Sequence, residues 1–111
     1  MKQISLFSTL LLASNMAFAG FTGPSINMID TVKAALSAKD DTYVELTGYI
    51  TKSLGKEDYL FKDETGEIQI EIDNDVWLGQ NITPNDRITI RGDVDSEWTK
   101  STIDVDMLRK H

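Results

Sequence analysis

The chain has 111 residues, no cysteine, and 18 Asp and Glu against 11 Lys and Arg, a formal net charge of −7. An acidic balance of that size repels phosphate backbones and anionic headgroups, and the absence of thiols excludes disulfides, thiol catalysis and cysteine metal sites. A chain this short supports one domain with one modest core.

Met1 to Ala19 carries one early cation, Lys2, then an apolar stretch from Ile4 through Ala13, then the small-residue ending Ala17-Phe18-Ala19 before Gly20. This is the three-part layout of a secretory signal peptide, and the apolar stretch is shorter than the roughly 20 residues that a spanning helix needs. Cleavage is expected after Ala19, which removes Lys2 and leaves a more acidic, exported chain placed in the periplasm. No further apolar run is long enough to cross a bilayer. Residues 20–26, with two Gly and one Pro, read as a flexible leader, and residues 27–111 as a single domain.

From Asn27 to Ala38 the spacing of Ile29, Val32, Ala35 and Leu36 predicts a short amphipathic helix, with Asn27 or Asp30 as its N-cap. Asp40-Asp41 breaks it. Period-two alternation then predicts a first strand from Tyr43 to Lys52, in which Val44, Leu46 and Ile50 face inward and Gly48 takes an inward position. A glycine inside a strand marks a bulge or bend. Ser53 to Glu57 reads as a turn and Asp58 to Asp63 as a second strand with Tyr59 and Phe61 inward. Asp63-Glu64-Thr65-Gly66 is a tight turn into a third strand, Glu67 to Asp73.

Asn74 to Gln80, containing Val76, Trp77 and Leu78, reads as one helical turn plugging the end of a sheet, with Trp77 in the core. Pro84 keeps the next segment out of strand pairing. Asp86 to Asp95 is the fourth strand, with Ile88, Ile90 and Val94 inward and Gly92 in the same context as Gly48. Ser101 to Leu108 is the fifth, with Ile103, Val105 and Met107 inward and Asp104 and Asp106 outward. Five short strands with two glycine bends and a helical insertion between the third and fourth predict an all-β, five-stranded OB-fold barrel with an N-terminal amphipathic helix. An SH3-like barrel has a similar pattern and stays open on pattern alone.

Val44-Glu45-Leu46-Thr47-Gly48-Tyr49-Ile50, Asp58-Tyr59-Leu60-Phe61-Lys62-Asp63, Ile70-Glu71-Ile72-Asp73, Val76-Trp77 and Gly92-Asp93-Val94-Asp95 together resemble the bacterial OB-fold (BOF) family of small periplasmic proteins, in its YgiW/YdeI-like group. The resemblance covers Ile29 to Arg109. It implies an exported, non-enzymatic OB-fold that lacks the usual nucleic-acid surface, with a link to envelope stress tolerance and to binding a small molecule or wall component. The resemblance establishes no metal or organic cofactor.

Nucleic-acid binding on an OB-fold needs exposed aromatics interleaved with cations on the second and third strands. Here Lys52, Lys56 and Lys62 are outnumbered by Glu45, Glu57, Glu67, Glu71 and Asp73, so no nucleic-acid partner is expected. Asp73-Asn74-Asp75, and Asp93, Asp95, Asp104 and Asp106 across adjacent strands, offer oxygen ligands that would suit Ca2+. The calcium-loop spacing fails at Trp77, however, and outward carboxylates are read as solvated, so no metal site is assigned. His111 ends the chain and is read as a disordered terminal residue. With no cysteine, no second histidine and no nucleophile elbow, no catalytic residue is assigned and the chain is read as no enzyme.

Trp98, between the fourth and fifth strands, either stacks on a flat ligand or folds back over the barrel mouth as a lid. The expected ligand site is Tyr49, Lys56, Glu57, Trp98 and Lys100, near one barrel end, for a small molecule, a cell-wall fragment or an envelope protein. The competing expectation is a protein-interaction or inhibitor module that uses the acidic face or an edge strand.

Overall fold

Alternation of apolar and polar residues builds five strands, β1 (Tyr43–Gly55), β2 (Asp58–Asp63), β3 (Gly66–Ile72), β4 (Ile88–Glu97) and β5 (Lys100–Lys110). The structure is a computed structural model and describes residues 28–111. The predicted signal peptide, the leader and Asn27 lie outside the described residues. The strands close into a barrel in the order β1-β2-β3-β5-β4, antiparallel throughout except for a short parallel seam joining Gln69–Ile72 of β3 to Thr102–Val105 of β5. Their inward residues, among them Leu46, Phe61, Ile70, Ile90 and Ile103, are fully buried in one core.

Closure depends on two glycines. β1 pairs with β4 through Gly48 and with β2 from Tyr49 onward, so Gly48 stands where the strand changes partner. A Cβ there would run into the Lys62 carbonyl oxygen, and one at Gly92 into the Asp104 carbonyl oxygen, so neighbouring backbone occupies both positions. The register slips beside Gly92: Arg91 faces Met107 but Gly92 faces Val105, which leaves Asp106 as the extra residue of a bulge. The slip corrects one expectation. Leu108 enters the core opposite Ile90, while the predicted inward Met107 is only half-buried, opposite exposed Arg91.

The helix is shorter than its apolar spacing predicts. α1 spans Val32–Leu36, with Thr31 as N-cap in place of Asn27 or Asp30, its Oγ1 accepting from the Ala34 amide at 3.2 Å. Ile29 is not helical: it bridges in parallel to Val44, and its carbonyl accepts from the Glu45 amide at 2.9 Å. Extended backbone there stops the helix from starting earlier. Leu36, predicted inward, is exposed, whereas Val32 and Ala35 are buried. Five residues do not hold a helix alone. The β2–β3 turn supplies the support, with Asp63 Oδ2 accepting from the Val32 amide and Thr65 Oγ1 accepting from the Lys33 amide, both at 2.9 Å.

One barrel end is closed by the 3-10 turn Asn74–Val76 and the residue after it. Trp77 is half-buried and meets Tyr59 edge-on, with ring centroids 5.5 Å apart. Leu78 projects into solvent. Gln80 fastens this turn to β5, donating to the Trp77 and Leu108 carbonyls and accepting from the Lys110 amide. His111 is likewise tied down, contrary to the disordered-terminus expectation. Its amide donates to the Arg87 carbonyl, and its Nε2 lies 2.6 Å from Thr89 Oγ1, which lies 2.8 Å from Thr47 Oγ1. Thr89 is buried, so its hydroxyl needs these partners.

Candidate functional site

The barrel register assembles a line of acids that the sequence does not display. Asp58 of β2 faces Glu71 of β3, Glu71 faces Asp104 of β5, and Asp104 faces Asp93 of β4. With strands about 4.8 Å apart, the row crosses roughly 14 Å of the outer surface. Asp95 and Asp106 flank it, and at its β2–β3 end the carboxylate oxygens of Glu57, Glu71 and Asp73 lie within 4.8 Å of one another. The ion pairs among the described residues, Arg91 with Glu45 and Lys110 with Asp86, include no member of the row.

The crowding shifts titration. Burial raises the Glu71 carboxyl, helped by the charges of Asp104, Asp73, Asp58 and Asp95. Asp104 is raised by burial and then by Asp73, Asp93, Asp95 and Asp106. Glu57 is raised first by its hydrogen bond with Asp73 and then by that residue's charge. Like charges directly opposite one another destabilise a sheet. A row of this kind is therefore relieved by protons, by salt, or by a bound cation.

The five predicted ligand residues separate into three places. Lys56 (φ +54°) and Glu57 form the β1–β2 turn, and Glu57 joins the acid cluster at the end of the row. Trp98 and Lys100 belong to the β4–β5 hairpin, in which Glu97 pairs with Lys100 around the two-residue turn Trp98-Thr99. Trp98 has a φ of +46° and a relative exposure of 103%, so its indole projects freely and is no lid. A small recess of about 140 Å³ between Asp95, Glu97, Lys100 and Thr102 adjoins it. Tyr49 lies elsewhere. It points outward opposite Lys62, four residues along β2 from Asp58 and hence about 13 Å from the acid row. There it lines a separate groove with Lys62, Asn85 and Arg87.

Sequence reasoning missed Asp58 and Glu71 as members of the row. It placed Asp93 and Asp104 correctly as facing neighbours, but Asp95 faces Thr102 and Asp106 sits in the bulge. Alternation alone identifies outward acids; the parallel β3–β5 register that aligns them has no sequence signature.

A closed five-stranded barrel with a parallel β3–β5 seam and a helical turn between the third and fourth strands is an OB-fold, and its outer face between the β1–β2 and β4–β5 hairpins is where that fold binds ligands. The chain belongs to the family described as Bacterial OB fold (BOF) protein, whose pattern matches residues 11–110. It is 40% identical over 103 residues to Protein YgiW of Escherichia coli (strain K12), covering 82% of this chain and 79% of that one. It is 41% identical over 106 residues to the calcium-regulated OB-fold protein CarO of Pseudomonas aeruginosa, covering 95% and 87%. The solved structure of the hypothetical protein ygiW from E. coli superposes with a TM-score of 0.73, covering 84% of this chain and 99% of that one at 41% identity. The telomere capping protein Ten1 from Saccharomyces pombe, at 16% identity and a TM-score of 0.59 over 78% of this chain and 81% of that one, shares the fold alone.

Proposed function

We propose that this chain is an exported, non-catalytic binding module of the periplasm whose acidic OB-fold face takes a small cationic ligand or the cationic part of a cell-envelope component. The observation that carries this reading is the Asp58–Glu71–Asp104–Asp93 row, four carboxylates in register with no protein cation among them. An extended polyamine repeats its ammonium groups on a length scale comparable to the strand spacing. Glu57 and Lys56 border the row at one hairpin, and Trp98 at the other offers an indole face for cation–π contact. A role in envelope stress tolerance, implied by the family, would follow if the bound component changes under stress.

Calcium is the second reading. Carboxylate oxygens of Glu57, Glu71 and Asp73 within 4.8 Å of one another are close enough to share one ion at Ca2+–oxygen distances of about 2.4 Å. The name of the CarO relative also connects that protein with calcium. Among the described residues barrel closure leaves no free edge, which counts against the edge-strand form of the protein-partner alternative but not against a basic partner on the acidic face.

Calorimetric titration with spermidine and with CaCl2 at low and high NaCl tests both readings. Binding that weakens steeply with salt and falls about tenfold or more in Asp104→Asn supports the module. Absence of heat with either cation at low salt overturns it. If Glu57→Gln abolishes the calcium response but leaves spermidine binding in place, the two cations have separate seats on the face.

A further inference from the structure

A second recess, of about 830 Å³, lies away from the acid row, over the stretch of β1 that changes partner at Gly48. Its volume falls within the roughly 300–1,000 Å³ usual for small-molecule sites. Two walls enclose it. Lys62, Asp63 and Glu64, at the end of β2 and in the β2–β3 turn, stand on the side where β1 pairs with β2; Pro84, Asn85 and Arg87, which lead into β4, stand on the other.

The two cations and two acids that line the groove balance, but they are divided unequally between its walls. Burial raises the Asp63 carboxyl, yet hydrogen bonds from Thr65, Val32 and Gly66 outweigh that and hold it below its ordinary value, so it is ionised at neutral pH. With Glu64 it sets two negative charges against Lys62, which also has Glu67 directly opposite on β3. The first wall is therefore net negative. Arg87 makes the second wall positive, because its neighbour Asp86 lies 3.7 Å from Lys110 Nζ and does not line the groove. Neither Arg87 nor Glu64 has an ion-pair partner within 4.0 Å among the described residues.

The geometry points to this groove as a separate binding site for a short zwitterionic peptide, with its carboxylate at the Arg87 wall and its ammonium at the Glu64 wall. A ligand with one charge would satisfy one wall and be repelled by the other. The walls flank β1, so they stand about two strand spacings, or roughly 9.6 Å, apart. An extended chain covers about 3.3–3.6 Å per residue, which makes a tripeptide the length that joins them. Arg87 can take a terminal carboxylate through two parallel hydrogen bonds.

The floor suits a peptide body. Thr51 Oγ1 donates to the Leu60 carbonyl and keeps lone pairs for a peptide N–H. Thr47 Oγ1 is held by Thr89, which is held in turn by His111, so the floor is fixed before any ligand arrives. Tyr49 is 38% exposed and offers a ring face to a side chain. None of this depends on the acid row.

Amide chemical shifts of 15N-labelled protein, followed during titration with trialanine, N-acetyl-trialanine and trialanine amide, test the assignment. Trialanine should shift Thr47, Tyr49, Thr51 and Arg87. It should bind about tenfold or more tightly than either blocked form, since each block removes one charge-assisted contact. Arg87→Ala should weaken trialanine but not trialanine amide, which has no carboxylate to lose. Glu64→Gln should weaken trialanine but not N-acetyl-trialanine, and Glu71→Gln, on the acid row, should leave trialanine unchanged. The comparison of the three peptides uses the parent protein and so stands whether or not a variant folds. Equal affinity for the three, shifts confined to other surfaces, or equal weakening of free and amidated trialanine in Arg87→Ala would overturn the site.

Discussion

Glu71 and Asp104 stand directly opposite one another across the parallel β3–β5 seam, two carboxylates at the one place where the barrel closes by parallel pairing. Both titrate above their ordinary values, so the folded chain holds these protons more tightly than the unfolded chain does. Their contribution to stability is therefore complete below the ordinary carboxylate values of 4.5 and 3.8, and is lost as pH rises through the elevated folded values. Asp63 and Asp86 behave oppositely. Burial raises Asp63, but its hydrogen bonds from Thr65, Val32 and Gly66 outweigh that and hold it below 3.8; the Thr83 amide lowers Asp86. Their stabilisation is present above 3.8 and lost as pH falls through their lower folded values. Thermal melts should show the Tm rising as the pH falls from neutrality toward the ordinary carboxylate values, and falling again as the pH drops below 3.8. Added NaCl should raise the Tm at pH 7, where the row is charged.

Asp104→Asn removes the central charge of the row, which faces acids on both sides. Relief of directly opposed like charges is worth about 0.2–1 kcal/mol per pair. Urea denaturation at pH 7 and low salt should show the variant more stable than the parent by an amount in that range, with the difference shrinking in high salt. Equal stability at low salt would show that the row is already relaxed by solvent.

Gly48→Ala and Gly92→Ala each place a methyl group against backbone that cannot move without breaking a strand pair. Overpacking of this kind costs about 1–3 kcal/mol. Both variants should lower the urea midpoint by a corresponding amount. Gly92→Ala should also broaden amide signals around Asp104 and Val105, the residues it would press on.

Trp98→Gly separates stability from binding. The left-handed φ at this turn position is strained for tryptophan and free for glycine, and the fully exposed indole contributes no packing. The variant should melt at or slightly above the parent temperature, a gain between zero and about 1 kcal/mol. Its affinity for spermidine should fall, since the cation–π contact is lost.

Asp63→Ala removes the acceptor for three amides and one hydroxyl, including the Val32 amide at the start of α1. A lost cap costs about 0.5–2 kcal/mol, and the turn hydrogen bonds should place the effect near the upper end. Hydrogen exchange should be faster at Val32, Thr65 and Gly66, with the far side of the barrel unaffected.

The sequence alone made the strand number, the two glycine bends and the inward alternation of β1, β3 and β4 legible, because each rests on a local period or on a residue type with one structural use. Two misplacements have physical causes. The stripe from Ile29 to Leu36 looks helical at every position, yet Ile29 is half-buried and its backbone bridges to Val44, so a tertiary contact overrides the spacing. Met107 and Leu108 exchange roles because the Asp106 bulge shifts the phase of β5 by one residue, which alternation cannot foresee. The acid row was invisible for a related reason, since it consists of pairings between strands distant in sequence. The sequence groups Tyr49 with Trp98 in one ligand site, and only the barrel geometry places Tyr49 in a separate groove.

The β3–β5 seam also bears on how the chain folds. Its partners are far apart in sequence and joined over only four residue pairs, so loop-closure entropy makes it a late event compared with the β1–β2, β2–β3 and β4–β5 hairpins. The opposed charges of Glu71 and Asp104 meet across that same joint. Closing the barrel thus brings carboxylates together late, and the rate of unfolding, more than the rate of folding, should respond to ionic strength.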